Sequence, residues 1–229
     1  LTRAIESSES RGFSSHPIAL RSSLANIEVL RGDLLLAERM HLDVLDALDG
    51  QPFQWLRTIS WVGLAGIERR RGDVEAAQRW LDHAWELRRT KNVPHMRALV
   101  LVGQGFTSDM RGDGASALTL QLEGLDVSLE IDNPRGVAYS LEGVAGALAA
   151  LDDASCADLA AHLLGRADAI RRAAGGPMPA AERFDVDRAE VRARERIGAA
   201  AYERAFAAGA EAPTGDLVGA VRAAATDRR

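Results

Sequence analysis

The sequence predicts an all-α chain of stacked antiparallel helix pairs, and three observations carry that prediction. Alanine, leucine and arginine are the commonest of the 229 residues while aromatics make up only 5%, a mixture that favours helix over extended sheet. The tripeptide Arg-Gly-Asp recurs at Arg31-Gly32-Asp33, Arg71-Gly72-Asp73 and Arg111-Gly112-Asp113, a step of 40 residues that lies in the range of helical-hairpin repeats. Small residues keep the same step, along Ala37, Ala77, Ala117 and Ala157 and along Ala25, Ala65, Gly105 and Ala145.

Each element follows from this punctuation. Leu1 to about Gly12 reads as a first helix, the second half of a hairpin, and because the chain opens without methionine it is expected to be a piece of a longer protein. Paired helices then break near Gly32, Gly72, Gly112 and Asp152, where Leu151-Asp152-Asp153 is a degenerate fourth copy of the turn. Glycine can take the left-handed conformation that ends one helix, and the aspartate after it can accept hydrogen bonds from the free amides of the next. Pro17, Pro52, Pro94 and Pro134 each fit the first turn of a helix, with Asn92 and Asn133 as nearby caps. In the second helices the apolar positions follow helical spacing, as in Val74, Ala77, Leu81, Ala84 and Trp85, or Leu118, Leu122, Leu125 and Leu129. The two small-residue columns allow close approach, with Leu24, Leu64, Trp61, Leu101 and Leu141 filling the space beside them.

The fourth hairpin ends at about Ala174, and Gly175-Gly176-Pro177-Met178-Pro179 interrupts the pattern. Helices are expected from Ala180 to about Ile197, from Ala199 to Ala208 and from Gly215 to Ala225, a more polar region suited to capping a repeat array. The expected organisation is therefore residues 1–174 as helical repeats and 175–229 as capping helices of the same solenoid.

Bulk properties exclude several function classes. A net charge of −5 provides no basic field for a phosphate backbone, so nucleic-acid binding by this segment is not expected. The single cysteine, Cys156, permits neither an intramolecular disulfide nor a cysteine-based zinc site, which fits the cytoplasm. No apolar run reaches membrane-spanning length.

The order of small, alanine and proline positions from about Pro17 to Ala174 resembles the tetratricopeptide repeat, and the longer helices resemble those of MalT-like solenoids. The unit is longer than the usual repeat of about 34 residues. It also lacks the usual first-helix tyrosine and places Gln104 and His41 where apolar residues are common. The resemblance implies a right-handed superhelix. The runs Ala161 to Arg171, Gly176 to Arg183 and Ala201 to Phe206 are similar to the closing segment of actinobacterial regulators, namely the LuxR-type large ATP-binding proteins, the SARP or BTAD-containing type and some class III cyclase fusions. That resemblance implies a sensor or scaffold solenoid attached to a nucleotide-binding switch domain, controlling transcription or signalling.

Chemical sites are sparse. His16, His41, His83, His95 and His162 form no close ligand pair, so no metal site is expected. Asp152-Asp153 falls where the repeat places a helix cap, which outweighs a general acid or base. Cys156, early in a helix among alanines, reads as a packing residue. The repeated Arg-Gly-Asp is turn chemistry in phase with the helices and not an adhesion motif. No phosphate-binding glycine loop is present, and no catalytic residue, cofactor or enzymatic activity is expected.

In tetratricopeptide proteins the first helix of each hairpin lines the inner surface. Carried onto this chain, that geometry puts Ser22, Asn26 and Val29 inward, then Val62, Gly66 and Arg69, then Val102, Phe106 and Asp109, and finally Tyr139, Glu142 and Gly146. Asn26, Arg69, Phe106, Asp109, Tyr139 and Glu142 are the candidate binding residues, facing a protein or peptide partner, a small-molecule inducer or an upstream switch domain. An autonomous adaptor that assembles other proteins is the alternative.

Overall fold

A computed structural model describes residues 15–50, 54–91 and 93–226. The expected first helix, Pro52 and Asn92 lie outside the described residues. Among the described residues there are eleven α-helices, one short 3-10 turn and no strand. The helices are α1 (Ser15–Arg31), α2 (Leu34–Ala47), α3 (Gln54–Arg71), α4 (Val74–Lys91), α5 (Pro94–Met110) and α6 (Gly114–Glu130). They continue with α7 (Pro134–Ala149), α8 (Ala154–Ala173), α9 (Phe184–Ile197), α10 (Ala199–Glu211) and α11 (Thr214–Thr226), the 3-10 turn Ala180–Glu182 lying between α8 and α9.

The turns form as the sequence chemistry dictates. Gly32, Gly72 and Gly112 have φ of +85°, +82° and +80°, a region that favours glycine. The amide after each glycine reaches back to close the helix, Asp33 to Glu28, Asp73 to Glu68 and Asp113 to Ser108. Those aspartates then cap the next helix, accepting from the amides of Leu36, Ala76 and Ser116 at 3.0, 2.8 and 3.0 Å. Asn133 does the same for Gly136, at 3.2 Å, with Pro134 in the first turn of α7. Asp153 accepts from Ser155 and Cys156 amides and from the Ser155 hydroxyl, so this carboxylate is a cap. Asp153→Ala is expected to lower stability by about 1 kcal/mol, read as a lower urea midpoint.

The described residues divide into two compact units, the first extending to Gly103 and including Ala180–Glu182, the second comprising Gln104–Pro179 and the chain from Arg183 onward. In the first unit consecutive helices α1 to α4 pack in sequence order. Arg71 ties α3 to α2 through a two-pronged contact with Glu38, at 2.6 and 3.0 Å, while also bonding Glu68, so the arginine of this turn is a clamp between hairpins. The 3-10 turn packs on α1, and its Ala181 carbonyl accepts from Arg70 at 3.4 Å.

In the second unit α6, α7 and α8 pack in order, and α10 lies along α8. Burial is continuous through α7, where Leu141, Val144 and Ala145 are fully enclosed together with Ala157, Ala160 and Ala161 of α8. Tyr202, Ala205, Leu217, Val218 and Val221 of the last two helices belong to the same core. Arg166 of α8 bonds both the Ala210 carbonyl ending α10 and the Thr214 hydroxyl opening α11.

Both small-residue columns are buried throughout. A third column, of glycines, fits the second helices to the first helices that follow them. A Cβ on Gly63 would stand 2.5 Å from the His41 ring, one on Gly103 2.8 Å from Leu81, and one on Gly143 would collide with the Gln121 amide. His41, Leu81 and Gln121 are thus one 40-residue series of plugs, each set into a glycine socket 22 positions further along the chain.

Candidate functional site

The six candidate residues divide between the two units. Asn26 is exposed on α1 and its amide donates to the Ser22 carbonyl at 3.1 Å, while Arg69 is buried on α3. The other four stand on α5 and α7 of the second unit. Phe106 and Tyr139 come together, ring centroids 5.1 Å apart and tilted by 46°. Asp109 is 7% exposed and receives Arg192 at 2.7 Å and Arg188 at 3.1 Å, both from α9. Glu142 is 4% exposed and is gripped by both prongs of Arg171 on α8, at 2.5 and 2.9 Å.

This geometry explains how two carboxylates stay buried on an otherwise apolar face. A buried carboxylate is costly unless a counter-charge and hydrogen bonds replace its water, and the planar guanidinium provides both. The rest of α9 fits the same surface: Ala189 and Ala193 are fully buried, and Ala189 meets α7 where Gly146 has no side chain. Arg188, Arg192 and Arg171 were not singled out from sequence. The available signal was the pairing of Arg188-Ala189 with Arg192-Ala193, four residues apart and therefore on one helix face.

Beside this contact lies a small cavity of about 120 Å³ between α8, α9 and α10, lined by Leu164, Asp168, Arg183, Val186, Tyr202 and Phe206 among others. Arg194 lies over the Tyr202 ring, 4.1 Å from its centroid, and pairs with Glu190 and Glu203 at 2.8 and 2.6 Å. Burial, followed by the nearby charge of Glu190, pushes the Tyr202 phenol above its ordinary range. Every charge at the cavity mouth named here has an opposite charge in contact.

The histidines are scattered. His83 packs against Trp61 and Trp80, with centroids 5.6 and 6.0 Å away, and His162 bonds the Asp158 carbonyl one turn earlier at 2.9 Å. His41 is fully buried with neither ring nitrogen hydrogen-bonded, and burial pushes its pKa down to about 4. Among the described residues no three His, Cys, Asp or Glu side chains cluster as metal ligands, and no helix is long and apolar enough to cross a membrane. Cys156 is buried in the core between α7 and α8.

No protein-family model, curated protein or solved structure matches this chain.

Proposed function

We propose that this chain is a non-catalytic binding module, a tetratricopeptide-like right-handed solenoid that acts as sensor or scaffold within a cytoplasmic bacterial regulator. It holds a protein or helical partner and thereby biases an attached nucleotide-binding switch domain. The observation that carries this reading is the first-helix face of the second unit. There Phe106, Asp109, Tyr139 and Glu142 lie together, and the two carboxylates are spent on arginine recognition. Such a face selects a shape and a charge pattern, which is the work of a recognition surface. Coupling to a switch domain requires only that the partner prefer one of two arrangements of the whole.

The purified chain is expected to hydrolyse no ATP and to show no shift in melting temperature with magnesium ATP or duplex DNA. Tight, specific binding of either would overturn the reading. The adaptor reading is favoured by Leu35 and Leu42, exposed seven residues apart on one face of α2. The coding sequence ahead of Leu1 separates the two: a phosphate-loop domain there selects the regulator, a cyclase domain selects the fusion variant, and a start codon just before Leu1 selects the adaptor.

A further inference from the structure

We propose that α9 is an exchangeable internal ligand, and that the face it covers on α7 and α8, together with Asp109 of α5, is a docking site for a partner helix carrying the pattern Arg-Ala-x-x-Arg-Ala. This rests on the binding-module reading and names the chemistry of the partner.

The occupant defines the site. Asp109 accepts a hydrogen bond from Arg192 and forms an ion pair with Arg188, one helical turn away, so the carboxylate reads a pair of guanidinium groups at a fixed spacing. Ala189 and Ala193 follow those arginines and are fully buried, Ala189 lying against α7 beside Gly146. A larger side chain at either alanine would lift the helix from the face. When α9 leaves, Asp109 is opened to water, and a helix that covers it again must bring a counter-charge, which an arginine supplies.

The helix itself is built to come away. Of its fourteen residues only Val186, Ala189 and Ala193 are buried, whereas twelve residues of α7 are. Its charges support it as a free helix: Asp185 and Asp187 lie in the first turn, and Arg194 and Arg196 in the last. Arg183 pairs with Asp187, and Arg194 with Glu190, each four residues apart. Gly198, with φ of +81°, follows it directly, and on the other side Gly175 and Gly176, with φ of +134° and +142°, lie ahead of the 3-10 turn that precedes it. Beyond Gly198, α10 stays fixed to α8 by its own close contacts, so release of α9 need not unfold the second unit.

The test uses the full chain with Arg188→Glu and Arg192→Glu, which repel α9 from Asp109, and a labelled synthetic peptide of residues 183–197 as probe. The peptide is expected to bind this variant at least about tenfold more tightly than it binds the wild-type chain, where the tethered helix competes at high effective concentration. Binding is expected to vanish when Asp109→Asn is added, or when both arginines of the peptide are alanine. Equal binding to wild type and variant, or none to a variant whose circular dichroism is unchanged, would overturn the proposal. Dimerisation of the wild-type chain through α9, read by sedimentation, would assign the face to a second copy and also overturn it. If the variant does not fold, hydrogen exchange on the wild-type chain decides: α9 amides are expected to exchange at least about a hundredfold faster than those of α8, and exchange in step with α8 refutes the proposal. ATP and DNA binding do not enter any of these readouts, so failure here is distinguishable from failure of the binding-module reading.

Discussion

Gly165→Ala is expected to release α10 from α8 and to cost about 3 kcal/mol or more of stability. A Cβ at Gly165 would run into the Phe206 carbonyl oxygen, and one at Gly209 would run into the His162 carbonyl oxygen. At this crossing the two helices touch backbone to backbone, so no side-chain rotation can relieve the collision. The helices must separate, which loosens Tyr202 and Ala205 from the core and disturbs the Arg166 contacts that join α10 to α11. Urea denaturation gives the magnitude, and hydrogen exchange along α10 locates the damage. Gly219→Ala is the matched control: it lies within α11 with open space around it, so the gain in helix propensity should leave stability unchanged or higher by up to about 1 kcal/mol. A Gly165→Ala chain as stable as wild type would remove the crossing from the account.

The second large effect is in pH. His41 is neutral in the folded chain down to about pH 4, while in the unfolded chain it takes up a proton near its ordinary value of 6.5. Between those values the unfolded state holds the extra proton. Stability therefore falls as pH drops from 6.5 toward 4 and levels off below, a loss of about 3 kcal/mol from this residue. Carboxylates add their own acid sensitivity, so the measurement is the difference between wild type and His41→Leu across that window. Leucine fits, because Leu81 fills the equivalent socket against Gly103. The variant is expected to be more stable at neutral pH, having no unpartnered ring nitrogens to bury, and to lose its share of the slope. Parallel pH curves for the two chains would refute this.

The hairpin pattern was legible because turn chemistry is local. A glycine that must turn left and an aspartate that must cap leave the same three letters each time, and the breaks at Gly32, Gly72, Gly112 and Asp152 stand where the sequence places them. The alanine columns were legible for the same reason, since a fixed step needs no knowledge of what lies opposite. The glycine column at 63, 103 and 143 was equally periodic, yet its meaning depends on His41, Leu81 and Gln121 on neighbouring helices. His41 stood out in the sequence as a polar residue at an apolar position, and its full burial is explained by the missing side chain at Gly63. Leu129 fits the helical spacing of α6 but is 44% exposed, because periodicity gives a face and not the extent of its cover.

At the candidate face the sequence supplied one half of each contact. Phe106 and Tyr139 meet ring to ring, and Asp109 and Glu142 are each paired with arginine, but those arginines come from elsewhere in the chain. Arg192 is 83 residues from Asp109, and no local rule links the two. Pairings across that distance are set by how the helices assemble.

The plug-and-socket series also bears on how such a chain lengthens. Residues 73–112 begin at one capping aspartate and end at the next turn glycine, and they carry both Leu81 and its own receiving Gly103. Duplicating that stretch in tandem would give the newcomer a complete joint on either side, and would leave Gln121 facing Gly105 and Gly143 as before. Growth by whole hairpins is thus compatible with every existing fit, whereas gain or loss of a few residues between a plug and its socket would misalign that joint.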